Sequence, residues 1–408
     1  MFKGILCLLC LLIFIPVHGQ NASDALSVNT KVKKRDTAIQ MDLGDVFKTV
    51  IHKIPKPVTA EYGKKIYFTL LPLALNPPGG GNALITSTSA GFYLGNRKEN
   101  NLSTANFAPY WNFGSQFGLP LRTELWFKKN QYLIQTDTRF LFYPQNTWGL
   151  GNGYSENNYY LVNYKYLRFY LNFLRQIKPY LYLGFGYNLD FHIQIMVKDT
   201  SLASLTSYPY GTETGTNSFS SGGTLNLLFD NRFSKNNIVP VDYFHFIFRN
   251  NTKLLGSQNN WSSIFFDFRK YISFAKKTSE NRMLAFRTFL WSSLGKTTPY
   301  LDLPSIGWDL YERSGRGIEQ NRYRGKTLIY FESEYRSDIT RNGLLGFVVF
   351  GNVNSATDPA VGQFQTFHPA IGAGLRIKIS KVTKTNLAID YAISKSHNGL
   401  WLALGEDF

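Results

Sequence analysis

The stretch YLYLGFGYNLDFHIQI, residues 180–195, alternates between two kinds of side chain. Leu181, Leu183, Phe185, Tyr187, Leu189, Phe191, Ile193 and Ile195 hold one set of alternate positions. Tyr182, Gly184, Gly186, Asn188, Asp190, His192 and Gln194 hold the other. Successive side chains of a strand point to opposite faces, so this is a strand with one apolar and one wet face. Its apolar face must look at a protein core or at lipid.

The texture recurs. In TLNLLFDNR, Leu225, Leu227 and Phe229 oppose Thr224, Asn226, Asp230 and Arg232. In IFFDFRKYISF, Ile264, Phe266, Phe268, Ile272 and Phe274 oppose Asp267 and Arg269. In TNLAIDYAI, Leu387, Ile389, Tyr391 and Ile393 oppose Asn386 and Asp390. Alternating segments start near 66, 83, 103, 116, 132, 160, 180, 223, 242, 262, 282, 327, 343, 368, 385 and 400, sixteen in all. About 21 residues per segment suits membrane strands of ~9–11 residues with short turns and some longer loops. A soluble sandwich would show mostly Lys, Glu and Thr on its exposed faces. Here the polar faces mix Gly, Tyr, Asn, acids and Arg, which suits a crowded lumen. The sequence therefore predicts an all-β fold, a transmembrane antiparallel β-barrel of about 16 strands with a lumenal loop, over residues 64–408.

Composition and the first residues agree with that choice. Aromatics make up 16% of the chain, a bias toward strands and interface girdles. MFKGILCLLCLLIFIPVHGQ has a positive start at Lys3, an apolar stretch over 5–15 and a small-residue site after Gly19, the pattern of an export signal over 1–19. Its apolar run is shorter than the ~20 residues a helical span needs. Both cysteines, Cys7 and Cys10, fall inside it, which leaves no cysteine for disulfides or metal sites downstream. No later stretch reaches 18 apolar residues, so an exported chain in a membrane would have to be a closed barrel. The expected location is the outer membrane of a Gram-negative bacterium. The formal net charge of +17 points to acidic partners, here anionic lipid head groups and not nucleic acid. Residues 20–37 are polar and expected to be disordered. Residues 38–63 are expected to hold a short amphipathic helix, with Met41, Leu43, Val46, Phe47, Val50, Ile51 and Ile54 on its apolar positions, and a linker from Pro55 and Pro57. The helix either docks on the periplasmic mouth or is a tether.

Four stretches are more specific: LFDNRFSKNNIVP (228–240), MLAFRTF (283–289), GRGIEQNRYRGKTLIYFESEYR (315–336) and the closing run GAGLRIKISKVTKTNLAIDYAISKSHNGLWLALGEDF (372–408). In this order they resemble the BamA/TamA family of outer-membrane barrels, the bacterial surface antigen type. The resemblance is strongest from residue 228 onward. It implies a loop folded into the lumen with an Arg-Gly-aromatic motif at its tip, matched here by Arg316, Gly317 and Ile318, the last in place of an aromatic. Arg322 and Arg324, in NRYRGK, belong to the same loop. A guanidinium in a lumen needs acceptors, and its planar fork suits carboxylates. By alternation, Glu332, Glu334 and Arg336 share one face of TLIYFESEYR, which must be lumenal because charge facing lipid costs on the order of 2–4 kcal/mol. The resemblance implies that Glu334 pairs with Arg316. A second family acid, on the next strand, is matched by Val349, so Asp390 is the substitute; Arg376 belongs to the same candidate anchoring group.

Closure requires the first strand to meet the last. Pro72 in KKIYFTLLPLALNP cannot donate to a ladder. Together with Gly405 and the terminal aromatic Phe408 in the closing strand, it predicts a weak seam, which the resemblance implies is a gate for client strands. The room between Gly19 and residue 64 holds no POTRA domain, so a member lacking these domains is expected. The expected function is insertion or translocation of outer-membrane proteins, or lipid, with outer-membrane lipid, client barrels and a periplasmic or outer-membrane subunit as partners. The alternatives are a non-catalytic subunit of a larger complex, a passive channel, or a barrel enzyme using His192 or His245. No HExxH, GxSxG or Walker pattern occurs, GLGNG (149–153) has no helix after it, and no catalytic residue, cofactor or metal site is expected.

Overall fold

The computed structural model describes residues 40–52, 66–75, 83–114, 116–151, 159–197, 217–232, 242–274, 282–309, 314–395, 397–406 and 408. The expected export signal, the polar segment over 20–37 and the linker with Pro55 and Pro57 lie outside them.

Eighteen strands form one antiparallel sheet among the described residues. They are β1 (Ile66–Leu75), β2 (Ala83–Phe92), β3 (Ser103–Phe107), β4 (Tyr110–Trp111), β5 (Phe117–Phe127), β6 (Tyr132–Phe142), β7 (Gln145–Thr147), β8 (Tyr160–Lys178) and β9 (Leu181–Val197). The second half holds β10 (Ser218–Asp230), β11 (Asp242–Asn251), β12 (Trp261–Ser273), β13 (Arg282–Leu294), β14 (Thr327–Asp338), β15 (Leu345–Ala356), β16 (His368–Ser380), β17 (Thr385–Ser394) and β18 (Asn398–Leu404). Among the described residues, the helix α1 (Leu43–Val50) precedes them. Two of the eighteen continue a neighbour. β3 and β4 share partners β2 and β5, and β6 and β7 share β8. Pro109 and Pro144 sit in the two gaps, where a residue without an N–H interrupts a ladder. The sheet thus has sixteen staves, the number the alternation predicts.

The outward face is apolar and the inward face is wet. On β9, Leu183 and Phe185 are exposed, while Tyr182, Asn188, Asp190 and His192 are buried. Such an exposed apolar face is stable only in lipid. The alternation fails at one point of the stretch that best displays it. Gln194 has φ 55°, and the β8–β9 register slips between Asn163 and Lys165. That extra residue is a β-bulge. Beyond it the faces swap, so Ile195 is buried among Leu141, Val162 and Tyr164 while Met196 is exposed.

Close backbone approach explains one inward glycine. A Cβ on Gly186 would lie 2.1 Å from Asn172 Oδ1 and 2.6 Å from Leu171 O. Its absence leaves room for Asn172 Oδ1 to accept from Thr224 Oγ1 at 3.1 Å and Asn226 Nδ2 at 3.3 Å.

Candidate functional site

The chain between β13 and β14 folds into the lumen. Its Tyr300, Leu303 and Trp308 pack with Leu141, Val162 and Tyr166 of the wall. Its Ile306, Ile318 and Tyr323 pack with Ile247, Phe265 and Phe289. Apolar side chains facing inward are therefore covered by the loop instead of water. Ile318 is buried in the second of these clusters, beside Ile306 and Tyr323.

Arg316 is the centre of the charged site. Its Nε donates to Glu332 Oε1 at 3.0 Å, Nη2 to Glu334 Oε2 at 2.5 Å and Nη1 to Asp390 Oδ2 at 2.7 Å. All four side chains are nearly inaccessible. The guanidinium also lies over the Phe350 ring, 3.5 Å from its centroid. Three carboxylates on β14 and β17 thus hold one loop residue by charge-assisted bonds. Asn352 Nδ2 donates to Arg316 O at 2.8 Å, fixing the backbone as well. Gly317, at φ 85°, lets the tip approach the wall: a Cβ there would meet Ala370 and Ala392 at 3.1 Å. Val349 points outward and is exposed, so it could not have carried the second acid's contact.

The cluster takes in Arg336 and the candidate Arg376 and extends to Glu406, which the sequence did not single out. Arg336 pairs with Glu334 and donates Nη2 to the backbone oxygen of Phe408 at 2.8 Å. Arg376 bonds Asp390 at 2.5 Å and Glu406 at 2.8 Å. Asn386 Nδ2 donates to Glu406 Oε1 at 2.6 Å. Glu406 was missed because it lies outside any alternating segment. Gly405, at φ 101°, follows the last residue of β18 and turns the chain inward. Phe408 is buried near Tyr271 and beneath Arg336. This departs from the expectation that Gly405 and Phe408 belong to the closing strand opposite Pro72: polar partners in the lumen draw the tail away from the wall.

Arg322 and Arg324 stand apart from this cluster. Arg322 lies over Trp148, 5.1 Å from the ring centroid. Arg324 donates to Tyr300 O at 2.8 Å and Asn321 Oδ1 at 2.8 Å, so it shapes the loop's own base. At the opposite wall, Asp302 accepts from Ser220 Oγ at 2.6 Å. Burial, with Asp190 nearby, pushes the Asp302 carboxyl up to about 7. His192 Nδ1 is 3.9 Å from Asp302, beyond hydrogen-bond reach, and its ring stacks on Tyr166. Ser220 thus donates to the acid and not to the imidazole. His245 Nε2 is 3.2 Å from Asn226 Oδ1.

The edge strands complete the site. β1 pairs with β2, with Pro72 opposite Thr86, and β18 pairs with β17. No ladder joins β1 to β18 among the described residues. Pro72 therefore lies within the paired length of β1, not beyond it.

The fold and the lumenal loop define a transmembrane β-barrel whose interior is occupied by its own chain. Solved barrels of the same fold include BamA from Haemophilus ducreyi in a form lacking POTRA domains 1–3, at TM-score 0.50 and 12% identity over 83% of this chain and 69% of that one. CdiB from Acinetobacter baumannii gives TM-score 0.54 and 13% identity over 84% of this chain and 60% of that one. CdiB from Escherichia coli gives 0.55 and 10% over 86% and 61%. The chain thus spans about three fifths of the CdiB chains it matches. No family model and no curated protein matches the sequence.

Proposed function

We propose that the protein inserts outer-membrane proteins, or passes protein or lipid, through a lateral seam between β1 and β18 in the outer membrane of a Gram-negative bacterium. The observation that carries this reading is that each of the two edge strands is paired on one side only among the described residues. An edge with free N–H and C=O groups is a template for a client strand, which can add by main-chain hydrogen bonds alone. The work needs no covalent chemistry, cofactor or metal, and we assign no catalytic residue. In this reading Arg316 and its three carboxylates keep the loop seated and the β14–β17 wall in shape while the seam opens. The shared fold with BamA and CdiB supports a role in this broad class. The loop filling the lumen favours a seam over a passive channel.

The test is site-specific photo-crosslinking in cells, with probes at Phe68 on β1 and Leu402 on β18. Capture of nascent outer-membrane proteins at both positions is expected. Capture only of the opposite strand, or of one fixed partner, overturns the reading in favour of a closed barrel serving as a subunit of a larger complex.

A further inference from the structure

Helix α1 is amphipathic in an unusual sense: its polar face meets the protein and its apolar face does not. Asp45 is fully buried and pairs with Lys381, itself buried. Lys48 Nζ reaches Asp45 at 3.1 Å. Asp42 caps the helix by accepting from Asp45 N at 2.9 Å, and its other oxygen accepts from Lys381 N at 3.2 Å. Met41 N donates to Asn342 O at 3.1 Å. Asn342 and Lys381 lie in the short turns β14–β15 and β16–β17. Leu43, Phe47, Val50 and Ile51, spaced as one helical stripe, are left open, with Phe47 72% and Val50 69% exposed. An eight-residue helix is too short to persist alone, so the ion pairs must hold it.

We propose that α1 is an interfacial membrane anchor: its apolar stripe lies in the head-group and acyl boundary of the periplasmic leaflet, and the Asp45–Lys381 clamp orients it there. Two observations select lipid as the occupant. The polar face is already committed to the rim, so the stripe cannot turn inward. The helix also packs against β16, at the Lys381 end of that strand, and the outward face of β16 carries the exposed Leu375 and Ile371 farther along the barrel's lipid-facing belt, so the stripe lies at the rim of a surface that lipid already covers. The leaflet follows from the rim: outer-membrane barrels carry their short turns on the periplasmic side, and the long lumenal loop leaves from the other end. The anchor sits two strands from β18 and therefore beside the seam.

The test uses the full chain with Cys7 and Cys10 changed to alanine, in phosphatidylethanolamine–phosphatidylglycerol vesicles, with an environment-sensitive fluorophore on Phe47→Cys or, on the polar side, Thr49→Cys. Only heat-modifiable, folded barrel is read. At position 47, nitroxide-labelled lipid should quench strongly, and iodide should quench about threefold less than at 49, as for a stripe buried ~5–10 Å into the interface. Equal iodide access at both positions overturns the proposal. So does shielding of position 47 from both quenchers, which would indicate a protein partner or a second copy. Adding Asp45→Asn should lower nitroxide quenching at 47 by at least about twofold, because a helix this short has little intrinsic stability. Unchanged quenching would overturn the clamp.

Discussion

The wall from β8 to β10 and the edge strands β1 and β18 share one alternating code, yet they are built to different standards. β8 has 19 residues and β18 has 7, or about 60 Å against about 23 Å of chain. β9 is laddered on both sides from Leu181 to His192, while β1 and β18 are each laddered on one side among the described residues. The loop between β13 and β14 bridges the two regions. Asp302 meets Ser220 of the tall wall, and Arg316 meets β14 and β17 on the side nearer the seam. Lumenal ion pairs tie both regions, Asp190 with Arg168 and Arg249 in the tall wall and Arg316 with β14 and β17 nearer the seam, but the edge strands themselves have a ladder on one side only among the described residues. A barrel can keep a poorly paired edge only if something else fixes the strands next to it.

Removing the lumenal tie should break this arrangement most. Arg316→Ala leaves Glu332, Glu334 and Asp390 without their shared cation, a loss of about 3–5 kcal/mol for a broken buried pair. The folded barrel should lose its heat-resistant gel mobility at a lower temperature, whereas an unchanged transition would remove Arg316 from any anchoring role. Arg316→Lys should recover only part of the loss, since an ammonium cannot reproduce the fork.

Hydrogen exchange sharpens the same contrast without mutation. Central amides of β9 should exchange at least ~100-fold more slowly than those of β1 and β18, about 2.7 kcal/mol of extra opening cost. Uniform protection around the barrel would mean the edges are as well closed as the wall.

The smallest expected effect is the pH response of the loop's other tie. A carboxyl with a raised folded value is most stable neutral, so its contribution is full below pH 3.8 and declines as pH rises toward about 7. Protease cleavage within 300–309 should therefore speed up across that interval in wild type. In Asp302→Asn the rate should be flat, and an equally steep profile there would assign the effect to another group.

Much of the wall was legible in the sequence because a barrel has one repeating rule. Strand starts near 66, 103, 132, 242, 282, 327, 368 and 385 follow directly from period two and turn residues. Arg316 and Glu334 were legible as members of a motif and a charged face. Arg336 and Glu332 shared that face, but their partners could not be deduced from it. Glu406 and Phe408 sit beyond the last alternation, so no local pattern indicated that they turn into the lumen. The bulge at Gln194 escaped for a related reason: one left-handed residue inverts every later side chain, and nothing in FHIQIMV marks which residue it is.

The sequence by itself determined the kind of object this is. Alternation set two faces, the acids and arginines required one of them to be wet, and helical spacing grouped Met41, Leu43, Val46, Phe47, Val50, Ile51 and Ile54 as apolar positions. The tertiary structure decided which groups meet. Three carboxylates from two strands converge on one guanidinium, the tail leaves the wall for Arg336 and Arg376, and α1 presents its acids to the barrel with its apolar stripe outward. The reason is physical. Which face a side chain takes depends on its immediate neighbours, whereas ion pairing and edge closure depend on where residues tens to hundreds of positions apart are carried by the whole sheet.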